Sequence, residues 1–224
     1  MNNFKIDIER TLKIKRVWIP IYQLEEGIEF AINNKIEALY IFHGGKLEPP
    51  KHTVDFNFLL KIPTIKSLDF LIRLTENSNI EGIYSLKNLT NLTYFEYDSF
   101  PLNHSKIQSL RYLYTHFSRN HLKDVSKFSH LKNLDTLKIW HVKNEDCNFL
   151  AEANNLENIE ITWGTLKSLK GIDKLTKLQK LSLYGLNKLT DIESIFQSKS
   201  LKLVGIEKCK SIPNDWLERY EKSF

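Results

Sequence analysis

Seven histidines and two cysteines are the side chains of this 224-residue chain best suited to metal binding or nucleophilic chemistry. The histidines are His43, His52, His104, His116, His121, His130 and His141. Zinc sites gather His and Cys at short fixed spacings. Cys147 and Cys209 stand 62 residues apart, and no CxxC pair occurs. A nucleophilic thiol needs a base partner. Cys147 follows Glu145-Asp146 and Cys209 falls in a predicted turn, neither beside an evident base. The Walker loop, GxGxxG and GxSxG are all absent. The HGG at 43–45 reads as a turn, and the single SxxK spacing, Ser129 to Lys132, lacks its SDN and KTG partners. These residues therefore assign no catalytic group, cofactor or metal, and the expectation is a protein that is not an enzyme. Both thiols are expected to be buried and reduced.

The elements around these residues announce themselves by period. Apolar residues recur every third position in Ile80-x-x-Ile83-x-x-Leu86-x-x-Leu89-x-x-Leu92. The same spacing runs from Leu122 to Leu137, from Leu166 to Leu181 and from Leu186 to Ile195. Three of these runs then alternate: Leu92-Thr93-Tyr94, Leu137-Lys138-Ile139 and Leu181-Ser182-Leu183. Period three places side chains on one side of a tight, 3₁₀-like coil. Period two is a strand with one buried face. Each run thus describes a coil that becomes a short strand.

The core of each run is L-x-x-L-x-L, and the chain here resembles the leucine-rich-repeat family. With the first core residue as register, repeats begin at Ile36, Ile65, Leu89, Leu110, Leu134, Leu156, Leu178 and Leu201, at spacings of 29, 24, 21, 24, 22, 22 and 23. Segments such as LTNLTYFEY and LQKLSLYGL resemble bacterial internalin-like repeats of about 22 residues. The likeness is tight over 80–210 and loose over 36–79. It implies an α/β solenoid: a leucine-rich-repeat horseshoe with a parallel concave sheet, an irregular or 3₁₀ convex side, and capped ends. The family's Asn, three residues past the last core Leu, is missing. Gly44, Arg73, Tyr97, Ser118, Val142, Gly164, Leu186 and Cys209 stand there, and only Cys209 fits the family's alternative. The turns must satisfy their backbone groups in some other way.

Stacked repeats expose apolar ends that need covers. Residues 1–35 are assigned to an N-terminal cap, 36–210 to about eight repeats, and 211–224 to a C-terminal cap. Phe4, Ile6 and Ile8 alternate like a strand, and Leu24, Ile28, Ala31 and Ile32 have helical spacing. Glu25 and Glu26 favour that helix's start. Asn214 or Asp215 is placed to cap a last helix carrying Trp216, Leu217 and Tyr220. Pro49-Pro50-Lys51-His52 reads as a loop. Charges break every apolar run near the N-terminus, and no stretch reaches the ~18–20 apolar residues of a membrane helix. The expected compartment is the cytoplasm.

Function is expected on the strands. Core residues take positions one, four and six of each repeat. Positions three, five and seven face the other way, and position eight borders them. Of these 32 positions nine are aromatic: Tyr40, Phe42, Phe95, Tyr112, Tyr114, Phe117, Trp140, Trp163 and Tyr184. That is 28% against 12% for the whole chain, enough to mark a face. Position seven alone reads Phe42, Leu71, Phe95, His116, Trp140, Thr162, Tyr184 and Glu207, which stacking would turn into one apolar stripe. Aromatic anchors are typical of protein interfaces, although aromatics also favour strands for packing alone. Asp69, Glu96, Glu160 and Glu207 nearly balance Lys138, Lys180 and Lys208, so the net charge of +5 lies elsewhere and a phosphate-binding groove is disfavoured. His116 and His141, one repeat apart, are placed to approach each other, with Glu96 and Glu160 in adjacent repeats as the nearest carboxylates. The expected role is a protein-binding module, in its sharper form an immunity protein or inhibitor. The expected contacts are Phe42, Phe95, Tyr112, Tyr114, His116, Trp140, His141, Glu160, Trp163 and Tyr184. A nucleic-acid-binding repeat protein and an enzyme with an unrecognised site are the alternatives.

Overall fold

The switch from period three to period two does what the sequence predicts. In a computed structural model describing residues 4–43, 50–95, 102–116, 128 and 130–222, all eight first-position residues, from Ile36 to Leu201, are at most 1% exposed. Each precedes a short strand. Burying one such side chain is worth about 1.5–3 kcal/mol, so the repeated apolar column supplies the driving force. The chain forms two compact halves, Met1–Arg111 and Tyr112–Phe224.

In the N-terminal half, β1 (Lys5–Ile8) runs antiparallel to β2 (Lys15–Pro20) at one sheet edge. Helix α1 (Leu24–Asn33) follows, then β3 (Ala38–Phe42), parallel to β2. After β4 (Lys51–His52), β5 (Ser67–Leu71) pairs with β3. After β6 (Arg73–Leu74) and α2 (Glu81–Tyr84), β7 (Asn91–Phe95) pairs with β5. Sequence reasoning missed β2, although its signal was present. Ile14-x-x-Val17-x-Ile19 is a repeat core, and Val17 and Ile19 are fully buried.

Within the long step between Ile36 and Ile65, residues 51–61 include a strand and a 3₁₀ helix where a loop is expected at 49–52. Lys51–His52 is a strand, paired in parallel with β6. A 3₁₀ helix, Phe56–Lys61, follows, its first turn held by Asp55, whose carboxylate accepts from the Asn57 N–H. α1 also differs in detail from its sequence pattern. Its buried face is Gly27, Ile28 and Ala31, while Ile32 is 40% exposed. The helix lies so close to β2 that a Cβ on Gly27 would stand 2.5 Å from Ile19 Cγ2.

In the C-terminal half, β8 (Tyr112–His116), β9 (Thr136–Val142), β10 (Asn158–Gly164), β11 (Lys180–Tyr184) and β12 (Leu203–Glu207) are parallel neighbours in that order. Their fourth positions align: Leu113, Leu137, Ile159, Leu181 and Val204. The period-three coil between strands includes 3₁₀ turns at Asn148–Leu150 and Ile172–Lys174 and the short α3 (Glu193–Gln197). Leu166, Leu169, Ile172, Leu175 and Leu178 are all buried there. α4 (Trp216–Glu221) follows Asp215, but that carboxylate makes no capping bond and the helix fully buries no residue. No described helix is long and apolar enough to cross a membrane.

Candidate binding face

Parallel strands in register stack equivalent positions, so the face opposite the core can be read row by row. In the C-terminal half, row seven is His116, Trp140, Thr162, Tyr184 and Glu207. Row five is Tyr114, Lys138, Glu160, Ser182 and Gly205. The expected unbroken stripe is interrupted, because Thr162, 7% exposed, separates Trp140 from Tyr184. The rings instead form edge-on pairs. Tyr114 and Trp140 have centroids 5.9 Å apart at 71°, and Trp163 and Tyr184 are 5.5 Å apart at 82°. The quadrupoles of aromatic rings favour this geometry. His116 and His141 do approach, at 4.8 Å and 66°. Tyr112 is half-buried in row three beside Thr136.

The turns leaving these strands explain how position eight joins the face. His141, Trp163, Gly185 and Lys208 all occupy position eight, and all have a left-handed backbone, with φ of 58°, 60°, 69° and 54°. Such angles are uncommon outside glycine and costly for a bulky side chain. The bend recurs whether or not the following residue is the family's alternative, since Lys208 precedes Cys209. Where the family's alternative is present, it acts as expected: Cys209 Sγ accepts from the Leu186 N–H at 3.4 Å. Cys209 is therefore half-exposed in a turn rather than buried as predicted, whereas Cys147 is fully buried. Both thiols are free.

Two of the charges on the face are committed to each other. Lys138 Nζ lies 2.7 Å from Glu160 Oε2, both side chains about one-third exposed. Burial, and then the charge of Glu160, push the Tyr114 phenol up to about 12. Lys208 Nζ sits 4.9 Å over the Tyr184 ring. Among the described residues no group of three or more His, Cys, Asp or Glu is placed to hold a metal ion.

The N-terminal half carries its own cluster, most of which sequence reasoning missed because it missed β2. Trp18 packs on Tyr40 at 4.4 Å and on Phe42 at 5.9 Å. Lys5 Nζ stands 3.8 Å over the Trp18 ring. Arg16 joins Asp7, at 2.8 Å, to Asp69, at 2.9 Å. Burial raises the Asp69 carboxyl above its ordinary value, with Arg16 and a bond from Thr93 opposing. Asp69, like Glu160, is thus held by an intramolecular partner and is not an uncommitted charge for a ligand. Of the remaining predicted contacts, Phe95 ends β7 with its side chain outside the described residues, and Phe117 and Glu96 lie outside them altogether.

No protein-family model and no curated protein matches the sequence. Solved structures do match its fold. Internalin C2 from Listeria monocytogenes aligns with a TM-score of 0.56 and 17% identity, over 85% of this chain and 80% of that one. A leucine-rich-repeat protein of Leptospira interrogans aligns at 0.52 and 20% identity, over 88% of this chain. The protein of the TLR13–ssRNA13 complex aligns at 0.54 and 21% identity, over 81% of this chain. This chain spans about half the length of the Leptospira protein (49%) and about a quarter of the TLR13 chain (26%). The fold is that of the leucine-rich repeat, in its internalin-like form.

Proposed function

We propose that this leucine-rich-repeat protein binds another protein on the free face of its parallel sheet, with no catalytic step. The observation that carries the reading is the pairing of half-exposed rings in the C-terminal half. Tyr114–Trp140 and Trp163–Tyr184 stand edge-on beside the His116–His141 pair. Trp163 is 40% exposed and keeps a left-handed backbone that costs energy for so large a residue. Strain of that kind concentrates at functional sites, and large aromatics are the usual anchors of protein interfaces. Because the rings hold each other in place, little side-chain freedom is lost on binding. The Lys138–Glu160 pair between them presents a partner with a matched ion pair rather than a free charge. Phe42 and Tyr112, both half-buried, extend the same kind of surface. The finer reading is an immunity protein or inhibitor that occludes a toxin or enzyme. Two free thiols support a reducing compartment such as the cytoplasm.

The test is isothermal titration with a partner captured from source-cell lysate, identified by mass spectrometry and purified. The Trp140→Ala/Tyr114→Ala variant, with unchanged circular dichroism, should weaken binding at least about 30-fold. Lys167→Ala, whose side chain pairs with Glu145 in the coil between strands, should not. Equal affinity in all three proteins overturns the reading. So does a capture that yields nucleic acid and no protein.

A further inference from the structure

Away from the free face of the sheet, the N-terminal half contains a second concave surface. A cavity of about 590 Å³ opens between α1 and the segment 52–61. Its apolar lining includes Leu24, Ile28, Ile32 and Phe58. Its polar lining holds three acids, Glu25, Glu29 and Asp55, against one lysine, Lys61, with His52 and Thr53. The elements that form it carry exposed apolar side chains. Tyr22 is 73% exposed, Leu60 58% and Ile32 40%. Ile32 lines the cavity, and Tyr22 and Leu60 adjoin its lining residues Ile21 and Lys61 along the chain, so three of the eight exposed large hydrophobics among the described residues lie on the elements that form it. Such concentration marks contact surfaces on soluble proteins.

The acids are harder to explain as ordinary surface. Glu25 lies in the first turn of α1, where the helix dipole welcomes it. Glu29 lies past that turn and gains nothing from the dipole. It sits four residues after Glu25, a spacing at which like charges repel along a helix. Neither makes an ion pair among the described residues. The chain as a whole carries a net charge of +5, so this rim is an acidic exception on a basic protein. Burial and the neighbouring His43 hold the His52 imidazole below its ordinary value, so it adds no compensating positive charge at neutral pH.

We infer that this groove binds a basic amphipathic segment of a partner protein. The segment's apolar side chains enter between Leu24, Ile28 and Phe58, and its Lys or Arg side chains meet Glu25, Glu29 and Asp55. Apolar floors with charged rims are how grooves read amphipathic helices. The site is separate from the aromatic face, and either could fail without the other.

The test uses the full chain and a fluorescein-labelled synthetic peptide of leucine and lysine at helical spacing, followed by anisotropy. A matched peptide with glutamate for lysine is the control. The Lys/Leu peptide should bind and the Glu/Leu peptide should not, and affinity should fall as salt rises to about 0.5 M. Glu25→Lys/Glu29→Lys should weaken binding at least about tenfold. Ile32→Ser, at an exposed position, should weaken it without unfolding the chain. Glu145→Lys/Glu152→Lys makes the same change in net charge at exposed positions in the other half and should leave binding unchanged. Equal binding by wild type and the groove variants overturns the proposal, as does equal binding of both peptides. Concentration-dependent self-association that these variants abolish would show a second copy in the groove and would also overturn it.

Discussion

The indole of Trp163 stands edge-on to the Tyr184 ring at 5.5 Å, directly above Gly185. A Cβ on Gly185 would stand 2.7 Å from Trp163 Cε3, and the residue has a left-handed φ of 69°. The close indole excludes a Cβ as the ring stands, and the left-handed φ adds a cost that the equivalent His141, Trp163 and Lys208 also bear. Gly185→Ala should lower stability by about 1–2 kcal/mol and shift tryptophan emission, because the ring must move. Urea denaturation followed by fluorescence checks both, and an unchanged midpoint with unchanged emission would sink the account of this turn.

Arg16 is the sole described ion-pair partner of Asp69, whose side chain is only 12% exposed. Removing the guanidinium leaves a buried carboxylate uncompensated. Arg16→Met should cost on the order of 3 kcal/mol at neutral pH, and Asp69→Asn in the same chain should recover much of it. The loss should also depend on pH. Burial already holds the Asp69 carboxyl above its ordinary value, and losing Arg16 raises it further. The variant's deficit is then full at neutral pH and shrinks as acid protonates Asp69. Denaturation curves at two pH values, with a deficit that did not shrink at the lower one, would refute this.

His52 Nε2 lies 3.0 Å from His43 Nδ1, tying β4 to the end of β3. Burial first, and then His43, lower the His52 value below the ordinary 6.5. A lowered histidine is neutral in the folded state and protonated more readily when unfolded. Its stabilisation is present above the unfolded value and is lost as pH falls below it. Stability should therefore drop between about pH 7 and 5, and His52→Gln should flatten that slope. A wild-type slope that survives the substitution would place its origin in other groups.

The two thiols should differ in reactivity. Cys147 is fully buried, and burial, with Asp146 nearby, pushes its thiol far up. Cys209 is half-exposed, with its thiol raised mainly by burial. A disulfide exchange reagent added to the folded protein should modify Cys209 slowly and leave Cys147 untouched, and both should react in denaturant. Rapid labelling of two thiols in the native state would contradict the core packing around Cys147.

The repeat was legible in the sequence alone because one residue type at one spacing recurs. Leucines at period three, then alternating, admit a coil that turns into a strand and little else. That determined the repeat strands from β3 onward, though not the short β4 and β6, together with the buried columns and the approach of His116 to His141. It also placed Tyr114, Trp140, Trp163 and Tyr184 on one face. What the sequence did not decide depends on neighbours far along the chain. β2 carries the core pattern only once and without leucine, so nothing local distinguished it from the cap until parallel pairing with β3 placed Arg16 and Trp18 beside Tyr40 and Asp69. The left-handed bends at His141, Trp163 and Lys208 have no signature in residue type. Whether Lys138 and Glu160 stand free or satisfy each other was likewise set by strand register, which puts the two side by side. Composition and period fix which residues are buried, whereas tertiary pairing fixes which exposed groups meet.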